Sequence, residues 1–374
     1  MTQDSSRPSV RRRLLVGHHG RTTSPTAESR SARHPLRRVS LTLSAIGAAA
    51  LLAACGSTTP TSSATTTTAP STSSSAAGNA TSTTHPVIGM TLMTLSNPYF
   101  GVMGQTCQSY AKTLGMTCHV EGANLDQATQ LSQVEAFIQE HVQAIIIAPP
   151  DASAAVTEVL DANKAHIPVF TIDTNVVGYK KAGGKVVEFV QTNNTKGGRI
   201  VGQEIASYLH GHGTVGIVDY PLATSVLDRD AGVKAVFKNY PGIKIVADAN
   251  GGGTTTQGLT AASAMLEAHP HLNVIYDINC PSGLGALDAI KAAGDVGKVA
   301  VIGFSGAKQC VQDIQNNSIF KAGVMQEPAL ETRTELNNIK KYLVDHTSIP
   351  PLVLTKAIPI TKADASKYIS IAYP

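Results

Sequence analysis

Ser305 sits in Gly303-Phe304-Ser305-Gly306-Ala307, a loose G-x-S-x-G between an apolar run and a helical stretch. In an acyl hydrolase such a turn lifts a nucleophilic hydroxyl toward an acid and a histidine that follow in the chain. Asp313 and His346 do follow, but Asp313 lies only eight residues on, inside the next helical stretch, and no run of strands long enough for a hydrolase sheet comes after it. Hydrolysis at Ser305 is therefore the minor reading. Gly211-His212-Gly213-Thr214-Val215-Gly216 fits G-x-G-x-x-G, yet it precedes a strand, whereas a phosphate cradle follows one. His210 with His212, and His269 with His271, lie in polar turns with no further Cys or His at ligand spacing. No acid–base or Cys–His pair stands out elsewhere, so the sequence points to no catalytic residue, no metal and no cofactor.

A second group has a different chemistry. Asn97, Tyr99, Phe100, Asp173, Arg229, Asn279, Ser305 and Gln326 each fall at or just beyond the end of an apolar run, and Asn193 and Asn194 follow another. Aromatic rings can stack on the apolar face of a sugar while Asp, Asn and Arg satisfy its hydroxyls in a mostly enclosed cleft. Each residue alone has a plainer explanation, Asn97 as a helix cap and Tyr99 and Phe100 as core. Their coincidence at strand ends is what favours ligand binding.

The elements that must position them alternate. Short apolar runs at 87–92, 117–121, 144–148, 169–172 and 186–190 make a first set; a second comprises 214–218, 243–248, 273–278, 299–304 and 320–325. Helical periods of 10–15 residues separate most of them, the pattern of βαβ units and parallel sheets covered on both faces. The expected fold class is α/β, with two doubly wound parallel-sheet lobes. In such sheets ligands bind beyond the carboxyl ends of the strands, where the polar group falls.

The chain is 374 residues long, and its first part has another purpose. Arg37 and Arg38 precede an uncharged 16-residue run, Val39 to Ala54, which ends in Leu52-Ala53-Ala54-Cys55. That run is short of the roughly 20 residues of a spanning helix. The arrangement is a secretory signal, and Cys55 after small residues resembles a bacterial lipobox, which implies cleavage before Cys55 and a lipid on its thiol. Nine of the 30 Lys and Arg precede Cys55, opposed by Asp4 and Glu28; from Cys55 onward 21 basic face 24 acidic residues, a net charge of −3. The basic excess belongs to targeting, and no nucleic-acid partner is expected. Residues 56–85 hold 19 Ser or Thr and no charge, a tether with a span on the order of 30 Å. The folded part is expected from 86, as a first lobe of 86–193 plus 327–352 and a second of 194–326 plus 353–374.

Export permits disulfides. With Cys55 lipidated, Cys107, Cys118, Cys280 and Cys310 remain and allow three pairings. Cys107 and Cys118 both lie about 10–13 Å back from one helix–strand turn, which favours their pairing; Cys280 with Cys310 follows by elimination.

The ordered segments Asn97-Pro98-Tyr99-Phe100, Ile145-Ile146-Ile147-Ala148-Pro149, Ile167 to Asp173, Asn194 to Gly198, Arg229 to Val233, Asn279 with Leu284 to Leu287, Val301 to Phe304 and Gln326-Glu327-Pro328 resemble the periplasmic sugar-binding proteins of ABC importers, the ribose/galactose-type family with the type I periplasmic-binding-protein fold. The resemblance implies two lobes joined by three hinge crossings, near Asn193, near Gln326 and around 350–358. It implies a small-molecule ligand, sugar or polyol, held by the eight residues above, with Asp173 accepting and Arg229 donating. It also implies an ABC permease as partner, a monomer, and no enzyme activity; a receptor presenting ligand to a membrane sensor is the alternative. Four positions depart from the family pattern: Thr174 for Arg, Asn193 for Asp, Cys280 for Asp and Ser305 for Asp. Losing several charges together implies a changed ligand, neutral, less hydroxylated or itself anionic.

Overall fold

A computed structural model describes residues 85–316 and 318–374. Cys55, the signal segment and the tether to residue 84 lie outside the described residues.

The first sheet is formed by β1 (Val87–Leu92), β2 (Thr117–Gly122), β3 (Ala144–Ala148), β4 (Val169–Ile172), β5 (Glu188–Thr192) and β11 (Leu352–Thr355), in the order β11-β5-β4-β3-β1-β2 and parallel throughout. The second is β6 (His212–Asp219), β7 (Gly242–Asn250), β8 (Val274–Asp277), β9 (Ala300–Gly303), β10 (Phe320–Met325) and β12 (Ile358–Thr361), in the order β12-β10-β9-β8-β6-β7. Only β12 runs antiparallel, against β10. Ala144 to Ala148 and Val274 to Asp277 are wholly buried, as strands covered by helices on both faces must be.

Five of the ten helices among the described residues begin at a side-chain cap. Asn97 accepts from the Tyr99 N–H to start α1 (Pro98–Thr113), with proline in the first turn. Asp126 caps α2 (Gln127–Gln139), and Asn193 caps α4 (Asn194–Tyr208). Thr254 caps α6 (Thr255–Ala268), and Asn279 caps α7 (Cys280–Ala293). α3 (Val156–Lys164) starts only five residues after Asp151, which accepts from the N–H groups of Ser153 and Ala154 and holds a turn there. β5 lies two residues beyond the expected 186–190. Its polar Glu188, Gln191 and Thr192 are buried among polar partners, so hydropathy misplaces its end.

The helix pair α4 and α5 (Thr224–Phe237) meets backbone to backbone. A Cβ on Gly198 would lie 1.9 Å from the Arg229 carbonyl oxygen, and one on Gly232 2.4 Å from that of Thr195. Gly258 and Gly285 play the same part between α6 and α7. Disulfides join Cys107 of α1 to Cys118 of β2, and Cys280 of α7 to Cys310 of α8 (Lys308–Gln315).

The chain passes from the first sheet to the second after β5 and returns after β10, where α9 (Pro328–Leu343) packs on α1. It crosses a third time between β11 and β12. Leu352–Thr355 therefore belongs to the first lobe, a correction to the expected boundary at 352/353. β11 is an edge strand with Leu352 and Leu354 facing out, and it lacks the apolar continuity that marks an inner strand.

Candidate functional site

The carboxyl ends of both sheets face one cleft. Asn97, Tyr99, Phe100, Asp173, Arg229, Asn279 and Gln326 all line it, with Tyr220, Ser225, Gly253 and Tyr373. The structure thus brings together seven of the eight expected ligand residues. Ser305 is not among the lining residues. It is fully buried behind them and donates to Asp277 Oδ2 at 3.1 Å. Asp313 instead accepts from Gln309, and His346 lines a separate groove on the first lobe, so no hydrolytic triad assembles.

The Tyr99 and Phe100 rings meet edge to face, with centroids 5.1 Å apart. Across the cleft, Arg229 is only 4% exposed. Its Nε donates to Asn194 Oδ1 at 2.8 Å and its Nη1 to the Ile278 carbonyl at 2.7 Å, while the guanidinium lies 4.1 Å over the Phe304 ring. Asn194 donates in turn to Gln191 Oε1. This residue, expected at a hinge, therefore also fixes the arginine.

Asp173 directly follows β4 with φ +60°, the left-handed region that Asp tolerates better than most residues. Thr174 and Ser225 donate to its Oδ2. Its buried Oδ1 has no hydrogen-bond partner and lies 3.7 Å from Arg229 Nη2. Burial raises the Asp173 pKa, and the arginine partly opposes this. Asn279 accepts from the Ser282 N–H and donates to the Gly253 carbonyl. Gln326 donates to the Tyr99 hydroxyl and to Thr192.

Three contributors escape sequence reasoning. Asp277 carries a buried carboxyl group one strand away from Ser305, its pKa raised to about 7 by burial, so a carboxyl group stands near the position where the family pattern has Asp. Glu331 of α9 accepts from the Tyr99 hydroxyl at 2.7 Å. Tyr373, in the C-terminal tail, packs its ring 5.8 Å from that of Tyr99, and its carbonyl accepts from the Lys308 N–H at 2.7 Å. With Tyr373 in place the cleft holds a cavity of about 50 Å³. No periodicity marks these positions, because each depends on packing between distant segments. Among the described residues the one grouping with metal-ligand spacing is Asp219, Asp230 and Asp248, and Lys234 Nζ lies 3.4 Å from both Asp230 and Asp248 as their counter-charge.

Two parallel-sheet lobes, three crossings and a polar, aromatic-walled cleft between strand ends define a two-lobed solute-binding protein. The periplasmic binding protein domain family matches residues 88–345, and the chain belongs to it. A ribose import binding protein of Bacillus subtilis is 32% identical over 244 residues, spanning 65% of this chain and 77% of that one. A D-ribose/D-allose-binding protein of Pseudomonas aeruginosa is 33% identical over 235 residues, 60% of this chain and 72% of its own. Among solved structures, a periplasmic solute binding protein from Actinobacillus succinogenes with bound D-allose superposes with a TM-score of 0.69 at 28% identity, over 76% of this chain and all of its own. Members of this family are exported solute-binding proteins and not enzymes. No helix among the described residues is long and apolar enough to cross a membrane.

Proposed function

We propose that this protein captures a small, neutral sugar or polyol in the interlobe cleft and delivers it to an ABC permease. Asp173 Oδ1 carries the reading: a buried carboxylate oxygen without a donor, beside a fixed guanidinium and two aromatic rings, is completed by a ligand hydroxyl. Neutrality follows from the lining, whose charged members are Asp173 and Arg229, one of each sign. Binding would draw the lobes together about the three crossings, and the permease would recognise the closed form. The lipidation signal at Cys55 supports a chain held on the outer face of the membrane by its Ser/Thr tether.

The test is a thermal-shift screen of the whole chain against sugars, polyols, sugar acids and nucleosides. A ligand at about 100 times its Kd should add about 2.7 kcal/mol of stability. A response confined to nucleosides or to acids would sink the reading. Mass spectrometry of membrane-fraction protein should find lipid on Cys55.

Tyr373 bears on the same cleft. A cavity of about 50 Å³ admits a water molecule but not a sugar, so the lobes must part or the Tyr373 ring must move for ligand to enter. Tyr373→Ala is expected to tighten sugar binding about tenfold, roughly 1.4 kcal/mol. Weaker binding in a titration of the variant would instead make Tyr373 a ligand contact.

A further inference from the structure

Glu331 is where the first-lobe ends of the chain crossings meet. It lies in the first turn of α9, just past the second crossing, and is fully buried. Its Oε1 accepts from Thr192, the last residue of β5 before the first crossing, and from Thr355, the last residue of β11 before the third, at 2.9 Å. Its Oε2 accepts from the Tyr99 hydroxyl. Gln326, on the second crossing, donates to both Tyr99 and Thr192. One carboxylate thereby ties all three crossings to a side chain that faces the cleft.

The Tyr99 hydroxyl has one proton and two carboxylates within reach, Glu331 and Asp173. The second of these holds the buried oxygen that lacks a donor. We propose that Glu331 is a positioning residue that decides which carboxylate receives the Tyr99 proton, and hence whether Asp173 Oδ1 is open to ligand. With Glu331 ionised, the phenol donates to Oε2 and Asp173 Oδ1 is free to accept a ligand hydroxyl. A proton taken from solvent goes onto Oε2, since Oε1 already accepts two hydrogen bonds. That new O–H donates to the phenol oxygen and turns the phenol proton toward Asp173, where it competes with ligand.

The surroundings place the switch near neutrality. Burial raises Glu331 to about 7, against the hydroxyls of Thr192, Tyr99 and Thr355, and the Asp173 charge adds to the rise. The facing groups are Tyr99 from α1, Asp173 beyond β4, Thr192 and Glu188 from β5, Thr355 from β11 and Glu335 one turn along α9, with Arg229 and Tyr373 across the cleft. Burial, with Glu188 and Glu331 beside it, raises Glu335 well above its ordinary value.

The inference rests on the ligand-capture reading, and its test has one arm that needs no ligand. Carboxyl-carbon and tyrosine ring-carbon NMR on the whole chain should show a glutamate signal, missing in Glu331→Gln, that titrates near pH 7 with the hydroxyl-bearing carbon of Tyr99 following the same midpoint. A Tyr99 signal indifferent to that titration overturns the proposal. In the second arm, calorimetry from about pH 5.5 to about 8.5 with D-ribose and D-allose as probes should show affinity falling by up to about tenfold per pH unit below the midpoint. Glu331→Gln and Tyr99→Phe should each flatten that profile. A flat profile in the wild type overturns the switch and leaves ligand capture standing. Failure of every sugar to bind at any pH counts against ligand capture, and the NMR arm then still decides the switch.

Discussion

Arg229→Ala should abolish ligand-induced stabilisation and lower the unfolding free energy by about 3–5 kcal/mol, the range for removing one partner of a buried ion pair. The arginine has four partners to lose. Asp173 is left as an uncompensated buried carboxylate, Asn194 Oδ1 and the Ile278 carbonyl lose their donors, and Phe304 loses the cation stacked on it. Arg229→Lys keeps the charge but cannot form the fork or the planar stack, so it should recover only part of the loss. The pH dependence separates charge from packing. Burial already raises Asp173 above its unfolded value, and removing the arginine raises it further. A carboxyl raised in the folded state gives stability that is present below its unfolded pKa and lost as pH rises through the folded one. The penalty of the variant should therefore shrink on acidification. Urea denaturation of both proteins at several pH values checks this; a penalty independent of pH would assign the loss to packing, and an unchanged ligand shift would remove Arg229 from the site.

Gly232→Ala should cost about 1–3 kcal/mol or more, as overpacking does, and should weaken ligand binding although Gly232 touches no ligand. The added methyl would lie 2.4 Å from the Thr195 carbonyl oxygen and 2.8 Å from the Arg199 nitrogen, both backbone atoms that cannot rotate away. α4 and α5 must separate, and the Asn194–Arg229 hydrogen bond spans that same interface. Gly101→Ala in α1 is the control. Its nearest neighbour would be the Leu95 carbonyl oxygen at 3.4 Å, so helix propensity, worth roughly 1 kcal/mol in favour of Ala, should make it neutral or stabilising. Equal stability of the two variants by thermal melting would show that the helices can yield without cost.

Much of this architecture is legible in the chain. Uninterrupted apolar runs such as Ala144 to Ala148, set between helical periods, mark inner parallel strands because both faces of such a sheet are covered. Asn97, Asn193 and Asn279 announce helix starts, since a capping side chain must stand next to the N–H it satisfies. Arg229 lies inside α5 and reaches the cleft through helix packing, whereas Asp173 and Gln326 stand at strand ends that face the cleft and could be named from position. Edge strands β11 and β12 could not, being half exposed and short. Ser305 shows the limit of positional inference, since it falls at a strand end but hydrogen-bonds behind the wall of the cleft.

What the sequence determined by itself is local: the inner strands, the helix starts that carry a capping side chain, and which residues stand at strand ends. Those properties depend on neighbours within one turn or one run. Only the tertiary structure decided that Tyr373, 200 residues from Asp173, shares the cleft with it. It likewise decided that Glu331 joins Thr192, Thr355 and Tyr99, and that Asp173 keeps one oxygen without a donor. These facts arise where segments far apart in sequence exclude water together. Hydrogen-bond satisfaction and the raised pKa of a buried acid belong to such an enclosure, not to the residues that line it.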